Sequence, residues 1–114
     1  MEEQLINFET AKLAKEKGFK WVNNNKLFYN SNGCLNLLQF SEEDVPAPTQ
    51  SLLQKWLREK YDIDVIINTY RNQNQKYYKY FISEKSKDVI KSEEYYNIYE
   101  DALEIGLQEV LQTL

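Results

Sequence analysis

Two runs of β-branched and aromatic residues lie close together in the middle of the chain, and they restrict its fold more than any other feature. The first run covers residues 63–70 and the second covers residues 76–82, with a short polar loop between them. Residues of these types favour strands, and a short polar loop between two such runs is typical of a hairpin. The sequence therefore predicts two adjacent antiparallel strands.

Alternation of side chains predicts that this hairpin has two faces of different character. One face has the composition of a core: Ile63, Val65, Ile67, Tyr78, Tyr80 and Ile82. The other, which we call the tyrosine face, carries large side chains where the solvated side of an antiparallel sheet is normally polar: Ile66, Tyr70, Tyr77, Lys79 and Phe81. We predict that the tyrosine face is either covered by another part of the chain or is a contact surface for a partner protein or a second copy.

Two segments before this hairpin have the apolar periodicity of amphipathic helices. The first helix is predicted to begin after Asn7, a good N-cap residue, and to end at Gly18, with Phe19 folding back onto it. The second is predicted to begin after Thr49 and to run to Tyr61. The glycine gives the first helix a physical reason to end.

A third helix is predicted after the hairpin. Asn97 is expected to cap it, and its apolar stripe leaves Glu104 on the exposed side. Gly106 interrupts the stripe at a cost of about 1 kcal/mol relative to alanine. We therefore expect Gly106 to pack closely against a bulky neighbour, either Trp56 or a strand tyrosine.

The order of these segments predicts an α+β fold in a single domain covering residues 1–114. An Asn-Gly turn at residues 30–33 predicts a first hairpin between residues 26–29 and 34–40. We expect a mainly antiparallel sheet of four to five strands with the three helices packed largely on one face, in the order α-β-β-α-β-β-α. Residues 83–97 have no decisive pattern, and an extra short strand before the last helix is one option.

The residue types that the chain lacks exclude most familiar chemistry. It has no histidine, one cysteine and three isolated glycines, so histidine-based catalysis, histidine metal ligands, an intrachain disulfide and a glycine-rich phosphate loop are excluded. The neighbouring acids at residues 42–44 are interpreted as solvated, and Cys34 as a small hydrophobe beside a turn. We predict a non-catalytic protein with no cofactor and no metal.

Charge is distributed unevenly along the chain, whose net charge is -4. Lysines crowd residues 12–26, whereas only acidic charges follow Lys91, which predicts a polarised molecule. The run from Lys76 to Phe81 alternates bases and aromatic rings, as a platform for single-stranded nucleic acid does, and this is the alternative function. Asp64 on the same face and the acidic balance argue against nucleic acid as the partner.

Two further features concern location. No apolar run approaches the roughly 20 residues of a membrane span, and the first residues are acidic where a signal peptide is basic. We therefore expect a cytoplasmic protein that makes no contact with membranes.

Three segments carry a resemblance in this order along the chain: residues 9–19 (ETAKLAKEKGF), 47–61 (APTQSLLQKWLREKY) and 99–107 (YEDALEIGL). Together they resemble a family of small uncharacterised proteins encoded by Bacteroides-type bacteria and their phages, prophages and mobile elements. The chain departs from the family at residues 21–40 and 83–97. The resemblance implies the cytosol of a bacterial host and an accessory role, and it transfers no site residue.

The exclusions and the resemblance together predict a non-catalytic protein-interaction module that acts as a phage or mobile-element accessory protein. The tyrosine face is its candidate binding surface. The expected partner is an unknown protein or a second copy of the chain in a homodimer.

Overall fold

Helices and strands alternate along the protein in the computed structural model, which describes residues 4–20, 27–37, 39, 41–84, 90–91 and 94–114. The helices within these ranges are α1 (Phe8–Glu16), α2 (Gln50–Tyr61) and α3 (Tyr99–Thr113). The strands are β1 (Phe28–Tyr29), β2 (Leu35–Asn36), β3 (Val45–Pro46), β4 (Ile63–Asn72), β5 (Gln75–Glu84) and β6 (Ile90–Lys91). The α+β class and the predicted order of elements are confirmed; β3 was not predicted, and β6 is the extra short strand that the sequence left as an option.

The described strands form two antiparallel sheets instead of the predicted single sheet of four to five strands. The first sheet has the order β2-β1-β3 and the second has the order β4-β5-β6. The strands of the first sheet are only two residues long, and Pro46 in its edge strand β3 has no N–H with which to extend the ladder. The second sheet consists mainly of the long β4–β5 hairpin.

The β4–β5 hairpin has the predicted faces. Its register pairs Val65 with Ile82 on the core face, and it pairs Tyr70 with Tyr77 on the tyrosine face. The ladder is continuous over ten residues of each strand, so the connecting loop is shorter than the sequence indicated. Gln73 makes the turn with a left-handed backbone at φ 55.

Two of the three helices pack on the core face of this hairpin. Both α2 and α3 contact β4, and α3 also contacts β5, whereas α1 packs against α3 and β3. The buried side chains at their junction come from the helices, the strands and the segment before α1: Ile6, Leu53, Leu57, Val65, Ile82, Leu107 and Leu111. The prediction of three helices on one face is therefore correct for α2 and α3 and wrong for α1.

Gly106 has the predicted close neighbour. A Cβ atom added at Gly106 would lie 3.0 Å from Cγ of Tyr80 and 3.0 Å from Cγ1 of Val65. The neighbour is thus a strand tyrosine, and Trp56 instead packs edge-to-face on Phe19 at a ring distance of 5.4 Å.

The predicted ends of α1 and the beginning of α2 are confirmed. The side chain of Asn7 accepts a hydrogen bond from the backbone N–H of Thr10 at 2.9 Å, and Thr49 accepts one from Leu52 at 3.2 Å. At the other end of α1, Gly18 has φ 99 and the N–H of Phe19 donates to a carbonyl within the helix. These contacts satisfy backbone groups that a helix end leaves without partners.

The predicted N-cap of α3 is wrong. The cap residue is Ile98, which has extended dihedrals (φ -124, ψ 131) and makes no side-chain cap hydrogen bond. Tyr96 exchanges backbone hydrogen bonds with Tyr78 at 2.8 and 2.9 Å. Because this pairing holds the chain extended just before α3, Asn97 is not at the position from which it could cap the helix.

The sequence pattern also predicts the wrong exposure for Glu104. Its exposed fraction is 6%, although the apolar stripe of α3 left it on the outside. The helix is covered on two sides, by the β4–β5 hairpin with α2 and by α1. A helix buried on two sides hides more residues than one apolar stripe indicates.

Candidate interaction face

The structure brings all five residues of the tyrosine face onto one side of the β4–β5 hairpin, opposite α2 and α3. Ile66 lies across from Phe81, and Tyr70 lies across from Tyr77. Ile66 is 46% exposed and Tyr70 is 39% exposed, while Tyr77, Lys79 and Phe81 are partly buried. The five side chains therefore form one continuous, partly apolar surface.

Tyr95 lies across this surface and was not predicted. Its ring is edge-on to Tyr70 at 6.1 Å between centroids and is tilted against Tyr77 at 5.6 Å. The ammonium of Lys79 lies 4.2 Å from the centre of the Tyr95 ring. Tyr95 itself remains 57% exposed, so it enlarges the surface more than it covers it.

The segment before α3 positions Tyr95 by pairing with the outer edge of β5. Ile90 and Lys91 pair with Ile82 and Phe81, and the Tyr78–Tyr96 pair follows farther along the strand. Strand geometry sends adjacent side chains to opposite faces, so Tyr96 points towards the core side while Tyr95 points to the tyrosine face. The adjacent tyrosines were the one sequence signal that could have indicated this arrangement.

Ring contacts support the same assignment of faces. Tyr96 lies 6.4 Å from Tyr80, and Tyr78 is edge-on to Tyr99 at 5.8 Å. Tyr80 is 8% exposed and its hydroxyl donates to Glu109, whereas Tyr78 is only partly buried. Of the two tyrosines expected in the core, Tyr80 is a core residue and Tyr78 lies at its margin.

The hairpin tip beside the tyrosine face is basic. Arg71 and Lys76 are paired across the strands and both are exposed. Strand alternation places both on the face opposite Tyr70 and Tyr77, so of these cations Lys79 belongs to the tyrosine face, and Asp64 lies at the other end of the same hairpin. Cations near aromatic faces contribute about 0.5–1 kcal/mol each at exposed sites.

A second concave region lies between α2 and the beginning of α3. This α2–α3 cleft has a volume of about 660 Å³, and sequence reasoning did not find it. Its wall combines neutral amides, aromatic rings and aliphatic side chains with one carboxylate: Gln4, Gln50, Ser51, Gln54, Tyr78, Asn97, Ile98, Tyr99, Glu100 and Leu103. The cleft is of ligand size, and the carboxylate in its wall belongs to Glu100.

The remaining candidate groups have structural surroundings. Cys34 is exposed beside its turn. Asp44 is buried, contrary to the expectation of a solvated acid, because its carboxylate accepts a hydrogen bond from the backbone N–H of Ser41 at 3.3 Å within a turn. Among the described residues, no three cysteine, aspartate or glutamate side chains converge as they would to bind a metal ion. None of the described helices is long and apolar enough to cross a bilayer.

The surface with the most distinctive chemistry is therefore the tyrosine face extended by Tyr95. It combines exposed aromatic rings with the ammonium of Lys79, and it lies on the side of the hairpin away from α2 and α3. Comparisons of the chain with protein-family models, with curated proteins and with solved structures found no match.

Proposed function

We propose that the protein is a non-catalytic protein-interaction module that binds its partner through the tyrosine face and Tyr95. The observation that carries this proposal is the exposure of large apolar side chains on one face: Tyr95 at 57%, Ile66 at 46% and Tyr70 at 39%. Tyrosine is enriched at protein interfaces because its ring supplies rigid contact area and its hydroxyl supplies a polar group.

The stiffness of the surface supports the same proposal. The face is built on a ladder of ten residues in each strand, and β6 reinforces one edge. Tyr95 is held by ring contacts with Tyr70 and Tyr77. A surface that is already ordered loses little conformational entropy when it binds.

The cellular role is part of the proposal. The family resemblance of the three segments described above supports an accessory protein of a phage or mobile element in the cytosol of a bacterial host. A protein of this kind acts by contacting a host or viral protein. The lack of histidine supports a role in binding over a role in catalysis.

Single-stranded nucleic acid is the second candidate partner, and one observation favours it. Lys79 lies over the exposed ring of Tyr95, as cations lie beside stacking aromatics in single-strand binding proteins. The net charge of -4 and Asp64 on the same hairpin count against it. We therefore rank it below a protein partner.

Affinity capture with three versions of the chain tests the proposal. The versions are the native chain, Tyr70→Ser/Tyr77→Ser, and Tyr99→Ser as a matched control, since Tyr99 is 41% exposed but lies on the α2–α3 cleft. A protein bound by the native chain and the control should then be purified. We expect the double substitution to weaken its binding about 30-fold or more, since interface hot spots contribute about 2 kcal/mol each.

Two outcomes contradict this expectation. Equal binding by all three versions removes the tyrosine face as the binding surface, and loss in Tyr99→Ser alone assigns binding to the α2–α3 cleft. Labelled single-stranded DNA provides the other arm of the experiment. Tight binding that weakens steeply with salt would favour nucleic acid, and no binding at low salt eliminates it.

A further inference from the structure

The outer edge of β4 is open. The second sheet has the order β4-β5-β6, so one side of β4 has no strand beside it within the described ranges. Residues 68–72 of this strand are exposed. An unpaired strand edge presents a row of backbone N–H and C=O groups that can hydrogen-bond to another strand.

The direction of these backbone groups follows from the pairing on the other side of the hairpin. Tyr78 exchanges both of its backbone hydrogen bonds with Tyr96, so its N–H and C=O point away from β4. Its partner Thr69 is then in a non-hydrogen-bonded pair, and the N–H and C=O of Thr69 point to the outer edge. Every second residue shares this direction, which explains why the Val65 carbonyl, four residues before Thr69, accepts a hydrogen bond from the side chain of Gln54.

Beyond Val65 the edge is open and unprotected. Ile67, Thr69 and Arg71 point their backbone groups outwards, and no described group hydrogen-bonds to them there. Natural proteins usually guard such an edge with proline, lysine or a bulge. The ten residues of β4 contain no proline and no lysine, and their pairing with β5 has no bulge.

We propose that the edge of β4 pairs with the same edge of a second copy of the chain, in an antiparallel register centred on Asn68. This inference rests on the proposed function, because it names a second copy as the partner that the hairpin binds. In this register Ile67 of each copy pairs with Thr69 of the other copy, so the two-fold axis produces this pair twice. Both residues point their backbone groups outwards, so each of these pairs makes two hydrogen bonds.

Side chains on the tyrosine face fit this register. Ile66 comes to lie opposite the partner's Tyr70, and Tyr70 lies opposite the partner's Ile66. Since Ile66 is paired with Phe81 and Tyr70 with Tyr77, the result is one apolar row across both hairpins. Pairs of aromatic and β-branched side chains across strands are among the most stabilising.

The charges favour the antiparallel direction as well. In this register Arg71 lies opposite Val65 of the second copy, which carries no charge. A parallel arrangement would instead place Arg71 beside the partner's Arg71, and like charges across strands are destabilising. The contact is small, so the dimer should be weak and should depend on concentration.

A cysteine at the symmetry axis tests the register. In a chain whose exposed Cys34 is replaced by serine, Asn68→Cys places two Cα atoms about 4.5 Å apart, within reach of a disulfide. Asn72→Cys in the same background is the matched control, because its two copies are separated by about 25 Å along the strands. We expect mild oxidation to crosslink the Asn68→Cys chain and to leave the control monomeric. No crosslink at position 68, or equal crosslinking of both chains, overturns the proposal.

A second pair of variants tests the edge without any cysteine chemistry. Thr69→Pro removes an outward N–H that β5 does not use, and Thr69→Ala keeps it. Light scattering over a range of concentrations should show a dimer for the native chain and Thr69→Ala, and a monomer for folded Thr69→Pro. If the native chain is monomeric throughout while a captured protein still requires Tyr70 and Tyr77, this inference fails and the proposed function stands. If neither a dimer nor a tyrosine-dependent partner is found, both fail.

Discussion

Glu104 is the residue whose role differs most from its sequence pattern. Its carboxylate accepts hydrogen bonds from the hydroxyl of Thr10, from the backbone N–H of Asn7 at 3.1 Å and from Nε2 of Gln50 at 2.9 Å. Gln108 donates in turn to the Thr10 hydroxyl at 2.9 Å. The network connects all three helices through neutral donors, and such hydrogen bonds stabilise a buried carboxylate.

Removing one donor should therefore cost stability. Thr10→Val keeps the shape of the side chain but leaves Glu104 and Gln108 each short of a partner. We expect the free energy of unfolding to fall by about 1–3 kcal/mol, measured by urea denaturation followed by circular dichroism. Thr113→Val, an exposed threonine on α3, is the control and should change it by less than about 0.5 kcal/mol. Equal effects of the two substitutions would show that the network adds no more to the free energy of unfolding than an exposed threonine does.

The carboxylate of Glu104 also affects the pKa of Tyr29. Its hydroxyl donates to the carbonyl oxygen of Ile6 at 2.7 Å. Burial raises the pKa of Tyr29 above its usual value of 10.0, and the negative charge of Glu104 raises it further. Burial likewise raises the pKa of Tyr96, with smaller contributions from Glu94 and Glu109. The folded protein therefore holds these protons more tightly than the unfolded chain does.

The sign of the pH dependence follows from that difference. The stabilisation from Tyr29 is fully present below the pKa of the unfolded chain, and it is lost as the pH rises from about 10 through the higher pKa of the folded state. We expect Tyr29→Phe to show a shallower loss of stability than the native chain over this alkaline range. Thermal melts at a series of pH values measure the two slopes. Parallel slopes would contradict the assignment.

Elements with a strong internal sequence pattern were predictable. Elements that form only by pairing with another strand of the chain were not. The β4–β5 hairpin, its two faces and the ends of α1 follow from alternation, capping and a glycine stop. The two-residue strand β3 was not predicted and β6 was only an option, because both form by pairing with a neighbouring strand and no periodicity can develop over two residues. For the same reason the position of Tyr95 could not be predicted, because it depends on the pairing of its segment with β5.

The N-cap position of α3 can be improved by substitution. Since Ile98 occupies the N-cap position with no side-chain hydrogen bond and is 54% exposed, a serine there can accept from the first turn at little packing cost. We expect Ile98→Ser to raise the free energy of unfolding by about 1 kcal/mol relative to Ile98→Ala, measured by thermal and urea denaturation. A serine variant no more stable than the alanine variant would mean that α3 begins elsewhere.

At the scale of the whole molecule, the charged segments lie side by side. Helix α1, which begins the lysine-containing segment, packs against the acidic α3, and Lys17 donates to the carbonyl oxygen of Leu114 at 2.7 Å. Two segments that are far apart in sequence are therefore neighbours in the fold. A charge pattern along the chain could not reveal that packing.

The extended shape of the molecule places the tyrosine face within reach of a partner. Its extents are 48 × 35 × 22 Å, and β4 is exposed from Asn68 to its end at the hairpin tip. Tyr70, Tyr77 and Tyr95 lie towards that tip, on the side away from α2 and α3. The five side chains of the candidate site could be predicted from strand alternation alone, whereas their exposure depends on where the helices pack.

The central claim is that the tyrosine face is a surface and not a second core, and urea denaturation of Tyr70→Ser/Tyr77→Ser tests it most directly. The substitutions remove two ring contacts with Tyr95, each contributing about 0.5–1.5 kcal/mol. We predict a loss of about 1–3 kcal/mol with a cooperative transition and an unchanged dependence on urea concentration. A loss above about 5 kcal/mol, or no cooperative transition, would show that the face is part of the core and would contradict the account.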